Sequence, residues 1–113
     1  MDSISEISLY DRRILKQFLT ENNWSEQDFL INFWYPLRNY LQQQDLVKNF
    51  KLTSIFGQLC LKIEVMSLAN PLDIEEAVMN YMNTLNPLAL PLINVFPTEN
   101  IISHNTEHIQ NQF

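Results

Sequence analysis

Glycine is almost absent from this chain, because Gly57 is the only one among 113 residues. Glycine supplies the positive φ angles that tight hairpin turns and phosphate-binding loops need. A glycine-rich nucleotide loop is therefore excluded, and a fold with many hairpins is disfavoured. This composition favours a mostly helical protein.

The length and the apolar content predict one domain that covers residues 1–113. Domains cluster around 100–150 residues, and hydrophobic residues make up 46% of this chain, which excludes disorder throughout. The apolar runs are shorter than the ~20 residues of a bilayer-spanning helix, so we expect no membrane span. The polar composition after Pro97 predicts a mobile tail over residues 98–113.

The cysteine content and the distribution of charged residues indicate the cellular compartment and limit the classes of partner. Cys60 is the only cysteine, which excludes an internal disulfide and fits a reducing compartment, so we expect a cytoplasmic protein. The amino terminus has neither the basic start nor the apolar stretch of a secretory signal. All basic residues lie within the first 62 positions, so the net charge of -6 comes from the second half of the chain.

Apolar residues spaced three to four apart predict helices in three segments. The first covers residues 9–22, and the second runs from Ser25 to about residue 44 with a kink near Pro36. Ser25 followed by Asp28 resembles a capping box. The third segment covers residues 73–85, where Asp73 and Glu76 form a similar pair.

Residues 53–69 allow two interpretations. Their polar positions fit a fourth helix, which is the favoured interpretation because it uses more residues and needs no glycine turns. Leu59, Leu61, Ile63 and Val65 also alternate with polar residues, as in a strand. That strand would pair with residues 90–96.

The prolines of the last apolar segment exclude a continuous helix there. Pro87, Pro91 and Pro97 interrupt a stretch that is too apolar for a solvated linker, so residues 88–96 are predicted to be extended and buried, either as an edge strand or as a strap over the helices. The favoured fold is therefore mostly α: a compact four-helix domain with an extended C-terminal strap. The alternative is an α+β fold with strands near residues 58–66 and 90–96.

No pattern of residues matches a catalytic or metal-binding motif. His104 and His108 are four apart, but Asn105 stands where the metalloprotease motif requires Glu. Cys60 lies between two leucines and is typical of a core position, and the acidic groups near Ser25 and Asp73 fit the first turns of helices. We therefore expect no metal, no cofactor and no enzymatic activity.

Nucleic-acid binding is the alternative function. The first two helices would form a helix–turn–helix arrangement, and Arg12, Arg13 and Lys16 would cluster on the first helix. The second helix, which would enter the major groove, begins with Glu26 and Asp28, and these repel phosphates. Binding to nucleic acid depends largely on cationic side chains, so this class is disfavoured for an acidic chain.

Aromatic residues crowd the second helix and give the favoured function. Phe29, Phe33, Trp34 and Tyr35 fall within seven residues. On a helix Phe29 and Phe33 share the core stripe, whereas Trp34 and Tyr35 either widen the core face or stand on the surface. Exposed Trp and Tyr are enriched at protein-binding hot spots. The sequence therefore predicts a non-enzymatic protein–protein interaction module, an adaptor, assembly factor or small regulator that docks on another protein or forms a homodimer. Its predicted partner-binding residues are Trp34, Tyr35, Phe29 and Phe96.

Overall fold

A computed structural model of the protein describes residues 9–98. The protein has an α+β fold in which three helical rods pack with a three-stranded mixed sheet. The elements in chain order are α1 (Leu9–Glu21), α2 (Glu26–Phe29), a π-helical turn (Leu30–Trp34), α3 (Tyr35–Gln42), β1 (Val47–Ile55), β2 (Gln58–Val65), α4 (Pro71–Thr84) and β3 (Leu92–Pro97).

The four-helix prediction is wrong, because residues 53–69 contain no helix. β1 and β2 form an antiparallel hairpin that turns at Phe56 and Gly57, with φ angles of 51° and 76°. A two-residue hairpin turn of type I′ requires positive φ at both positions, so the single glycine stands where the hairpin needs it. The strands of the predicted α+β alternative, near residues 58–66 and 90–96, match β2 and β3. Neither the four-helix prediction nor the α+β alternative included β1.

The sheet has the order β1-β2-β3, with β2 in the centre and β3 parallel to it. α4 connects the two parallel strands, as such a crossover requires. The pairing places Leu52 of β1 opposite Leu61 of β2, and Val95 of β3 beside Ile63. These four side chains lie on one face of the sheet, and this face borders the hydrophobic core. Of the two forms predicted for the extended segment, the edge strand is the one found, and the residues of β3 are half-buried or exposed instead of buried.

The second helical rod continues through Pro36. The Tyr35 N–H donates to the Leu30 carbonyl oxygen, five residues back, in the π-helical turn that precedes the proline. An interior proline lacks a donor and clashes with the carbonyl four residues back, and a wider turn relieves this clash. The irregularity predicted near Pro36 is therefore a π-helical turn rather than a sharp kink.

Two helix starts test the capping predictions. The Asp28 N–H donates to Ser25 Oγ at 3.1 Å, so the predicted cap at Ser25 is confirmed. α4 begins earlier than predicted, because the Leu72 N–H donates to Asn70 Oδ1 at 3.0 Å and Pro71 occupies the first turn. Asn70 therefore caps α4 in place of the predicted Asp73.

One hydrophobic core joins the helices to the sheet. Its buried members include Leu15 and Leu19 of α1 and Val78 and Met82 of α4, together with the core face of β2. Between α1 and the π-helical turn the core is aromatic, and the Trp24 ring centre lies 5.2 Å from that of Phe29. The core thus spans all layers of the described chain.

Candidate functional site

The structure buries two of the four predicted partner-binding residues. Trp34 is 2% exposed and Phe29 is 0% exposed, so neither ring lies on the surface. The Trp34 ring centre lies 6.2 Å from that of Phe50 on β1. The hairpin therefore provides a second wall for the crowded rings. Phe29 lies on the core stripe as expected, and Trp34 widens the core instead of standing on the surface.

The other two predicted residues are half-buried. The Arg38 guanidinium carbon lies 5.4 Å from the centre of the Tyr35 ring, so the two side chains stack on the helical rod. Phe96 lies on the polar face of the sheet, where Lys62 Nζ is 5.5 Å from its ring centre. Each ring is therefore paired with a cation of its own fold.

The residues of the nucleic-acid alternative lie on α1. Arg13 and Lys16 are exposed, and Arg12 is half-buried. Glu26 and Asp28 are exposed at the start of α2, as expected from their capping positions. Nucleic-acid binding through α1 stays a prediction.

Phe56 is a surface residue that the sequence analysis missed. Its side chain is 99% exposed at the tip of the β1–β2 hairpin, and its φ angle of 51° lies in the left-handed region. That conformation costs a residue with a Cβ about 1–2 kcal/mol, and Asn or Asp usually occupies this position before the glycine of a type I′ turn. The signal in the sequence was a large apolar residue directly before the only glycine.

A cleft with a volume of about 390 Å³ opens beside this turn, and both apolar and polar side chains, Glu21 and Gln58 among the polar ones, line it. Ile14 and Phe18 of α1 line one side, and Leu90 and Leu92 line the approach to and start of β3. Gly57, the residue that follows Phe56, also lines the cleft, so the cleft begins next to Phe56. We call this cleft the turn cleft. The exposed Phe56 ring and the turn cleft therefore lie at the same end of the sheet.

Exposed apolar side chains also occur at the opposite end of the sheet. The Met66 N–H donates to the Leu46 carbonyl oxygen at 2.8 Å, which extends the pairing of β1 and β2 beyond both strands. Leu46 and Met66 are about half exposed, and Leu68 and Leu72 follow with 96% and 72% exposure. This end has exposed leucines but no left-handed apolar residue.

A second cleft, which we call the α3–β1 cleft, separates the helical rod from β1 and has a volume of about 270 Å³. Trp34, Arg38 and Gln42 line it from the helical side, and residues 49–52 line it from the strand. Its charged lining residues are Arg38 and Lys51, and no acidic residue lines it. Lys51 pairs with Lys62 in the sheet, so its side chain lies on the face that carries Phe96, opposite the core face of Phe50 and Leu52.

The Trp34 side chain adds an unusual feature to this cleft. Its Nε1 is buried and has no hydrogen-bond acceptor within residues 9–98. Buried indole N–H groups usually have an acceptor, and an unpaired buried donor costs about 1–3 kcal/mol. Trp34 is therefore the residue within 9–98 whose buried side-chain polar atom lacks a partner.

Cys60 of β2 is buried, as expected for a core position. Burial raises the pKa of the Cys60 thiol, an effect that the nearby Lys62 ammonium partly opposes, so Cys60 is a poor nucleophile. No group of three His, Cys, Asp or Glu side chains within residues 9–98 could hold a metal ion. The histidine pair at positions 104 and 108 and the predicted tail beyond residue 98 lie outside the described residues.

The helices between residues 9 and 98 are all too short or too polar to cross a membrane. The candidate binding surfaces within residues 9–98 are thus Phe56 with the turn cleft, the end of the sheet with the exposed leucines, and the α3–β1 cleft. No family model, curated protein or solved structure matches this chain, so its function has to be inferred from its own residues.

Proposed function

We propose that this protein is a non-enzymatic interaction module that docks on another protein chain through Phe56. The observation that supports this proposal is the full exposure of the Phe56 ring on a left-handed backbone. Burying a Phe side chain is worth roughly 1.5–3 kcal/mol, and the fold leaves this gain unused. A partner with an apolar pocket would recover it on binding.

The backbone of Phe56 strengthens the proposal. Strained backbone positions cluster at functional sites, because residues there are kept for a purpose other than stability. The hairpin fixes the backbone from which the Phe56 ring projects, so no loop has to be ordered when the ring binds. Aromatic anchors of this type dominate the binding energy of many protein interfaces.

The turn cleft extends the proposed surface. Ile14, Phe18 and Leu92 offer apolar area within the same end of the molecule, and a partner that accepts the Phe56 ring could also fill this hollow. A ring and a hollow on one surface suit two-fold self-pairing as well, because each copy then provides both parts. A second copy of this chain is therefore one of the partners that the experiment distinguishes.

The test compares wild-type protein with Phe56→Asn, in which Asn tolerates the left-handed φ angle and removes the ring. Leu68→Asn is the matched control, because it removes an equally exposed apolar side chain at the other end of the sheet. Light scattering after size-exclusion chromatography measures self-association, and affinity capture from the native host measures other partners.

We expect a complex, either a homodimer or a captured protein, that Phe56→Asn loses and Leu68→Asn retains. Circular dichroism of the two variants should match that of the wild type. If Phe56→Asn keeps every complex that the wild type forms, or if Leu68→Asn alone loses them, docking through Phe56 is disproved.

A further inference from the structure

Four apolar side chains are exposed together at the end of the sheet opposite the β1–β2 turn. They are Leu46, Met66, Leu68 and Leu72, and we call them the leucine end. We propose that the leucine end docks on another protein, at an apolar surface that is bordered by Lys and Arg side chains. This site lies at the other end of the sheet from Phe56, so the proposal goes beyond docking through Phe56.

The side chains of the leucine end take little part in the core. Leu68 is 96% exposed and Leu72 is 72% exposed, whereas Leu46 and Met66 are about half exposed. Leu68 lies in the connection between β2 and α4, where polar residues are usual. Single exposed leucines are common, but a group of apolar side chains at one end of a domain is typical of an interaction surface.

Backbone hydrogen bonds hold the leucine end in place. The Met66 N–H donates to the Leu46 carbonyl oxygen at 2.8 Å, which brings the two chain segments together. The Ala69 N–H donates to the Met66 carbonyl oxygen at 2.9 Å. The Leu72 N–H donates to Asn70 Oδ1 at 3.0 Å, which fixes the start of α4. The backbone of the leucine end is therefore ordered before a partner binds, and this lowers the entropy cost of docking.

Acidic side chains border the leucine end. Asp45 directly precedes Leu46, and Asp73 directly follows Leu72 at the start of α4. Both carboxylates are exposed, and neither forms an ion pair within residues 9–98. Lys48, two residues after Leu46, is the nearest cation along the chain, while α4 contains three acids and no Lys or Arg. The border is therefore net negative, and a partner with Lys or Arg around an apolar centre complements it.

Three other occupants match this chemistry less well. Residues 99–113 of the chain itself contain two Glu but no Lys or Arg, so their charge has the wrong sign. A second copy docked through the same end would place acids against acids. Membranes with anionic lipids attract basic segments, and the acidic border would be repelled by them. The charge pattern therefore favours a cationic protein surface.

The experiment titrates the ¹⁵N-labelled full chain with amphipathic peptides and follows the backbone amide signals by NMR. The probe is a capped peptide of two Leu-Lys-Lys-Leu-Leu-Lys-Lys repeats, and its counterpart has Glu in place of every Lys. Leu68→Asn removes an apolar side chain of the leucine end, and Asp73→Asn removes a charge of the border. Asp28→Asn is the charge-matched control, because Asp28 is exposed in the first turn of α2 as Asp73 is in the first turn of α4.

We expect the Lys peptide to move the amide signals of residues 66–72 in a saturable way, and the Glu peptide to leave them in place. The Kd of the Lys peptide should rise at least fivefold in Leu68→Asn and at least twofold in Asp73→Asn, whereas Asp28→Asn should leave it nearly unchanged. Phe56→Asn should bind the Lys peptide as the wild type does. A complex that Leu68→Asn alone loses thus belongs to the leucine end, and one that Phe56→Asn alone loses belongs to Phe56, so the two proposals fail separately.

Several results would overturn the proposal. The signals of residues 66–72 could stay unmoved by the Lys peptide, or the Glu peptide could bind equally well, which would leave no role for the acidic border. Unchanged affinity in a Leu68→Asn variant with a native-like amide spectrum would leave no role for the apolar side chains. Vesicles of phosphatidylcholine and phosphatidylserine that bind the wild type but not Leu68→Asn would identify a lipid surface instead. A dimer in light scattering that Leu68→Asn loses would identify a second copy.

Discussion

Phe56 combines two features that stable domains rarely place in one residue. Its ring is 99% exposed, and its φ angle of 51° is one that L-residues with a Cβ adopt at a cost. Asn23 and Asn86 also have positive φ angles, of 53° each, and Asn is the residue that tolerates this conformation best after glycine. The chain therefore uses Asn at two left-handed positions and keeps Phe at the third.

This contrast predicts that Phe56→Asn stabilises the fold. The left-handed cost falls, and no core contact is lost, so the free energy of unfolding should rise by about 1 kcal/mol. Phe56→Ala is the control, because Ala removes the ring without relieving the backbone and should stay close to the wild type. Urea denaturation measures all three. A less stable Phe56→Asn variant would show that the ring supports the fold.

At the scale of elements, the second helical rod shows how the chain accommodates a proline. Pro36 stands two residues after the end of the π-helical turn, and its carbonyl oxygen accepts a hydrogen bond from the Tyr81 hydroxyl of α4 at 3.4 Å. The widened turn keeps Phe29 before it, Phe33 within it, and Leu37 and Leu41 after it in the same core. The irregularity is therefore compatible with close packing on both sides.

A second prediction follows from this arrangement. Replacing a proline in an ordinary helix interior by Ala gains about 3 kcal/mol, but here the π-helical turn already relieves the clash. Pro36→Ala should therefore change the free energy of unfolding by less than about 1 kcal/mol. Asn39→Ala, at an exposed position of α3, provides the ordinary propensity gain for comparison. A gain near 3 kcal/mol for Pro36→Ala would mean that the proline still strains the rod.

The helices were predictable from the sequence because their signals are local. The spacing of apolar residues and the Ser25 cap depend on a few neighbouring residues, and α1 and the second rod lie close to their predicted bounds. β1 was missed because its residues are mostly polar or half-exposed, so its strand character depends on pairing with β2. Without β1, residues 53–69 had no hairpin partner and a helix was favoured.

The error in the sheet also explains the error in the site. A core made of helices alone would have too little room for the rings around Trp34. In the structure Phe50 of β1 packs against Trp34 and covers it. Burial of the ring left its N–H as the notable feature, and a missing acceptor is a property of three-dimensional contacts that no spacing in the sequence indicates. Phe56, by contrast, could have been found from its place before Gly57.

At the scale of the whole molecule, one core connects elements that are distant in the chain. Trp24 and Trp34 lie in the helical part, and Ile63 and Val65 of β2 belong to the same buried cluster. Small domains with a single core usually unfold in one cooperative transition. This predicts that the helical part and the sheet unfold together, as the single-domain expectation requires.

Two probes in different layers can test this cooperativity. Tryptophan fluorescence reports on the helical part, and alkylation of Cys60 reports on β2, where the thiol is 1% exposed and burial raises its pKa, so that it stays protonated and unreactive while folded. Urea titrations followed by fluorescence and by pulsed alkylation should give coincident midpoints. Alkylation at a clearly lower urea concentration than the fluorescence change would mean that the sheet opens separately and that the core does not act as one unit.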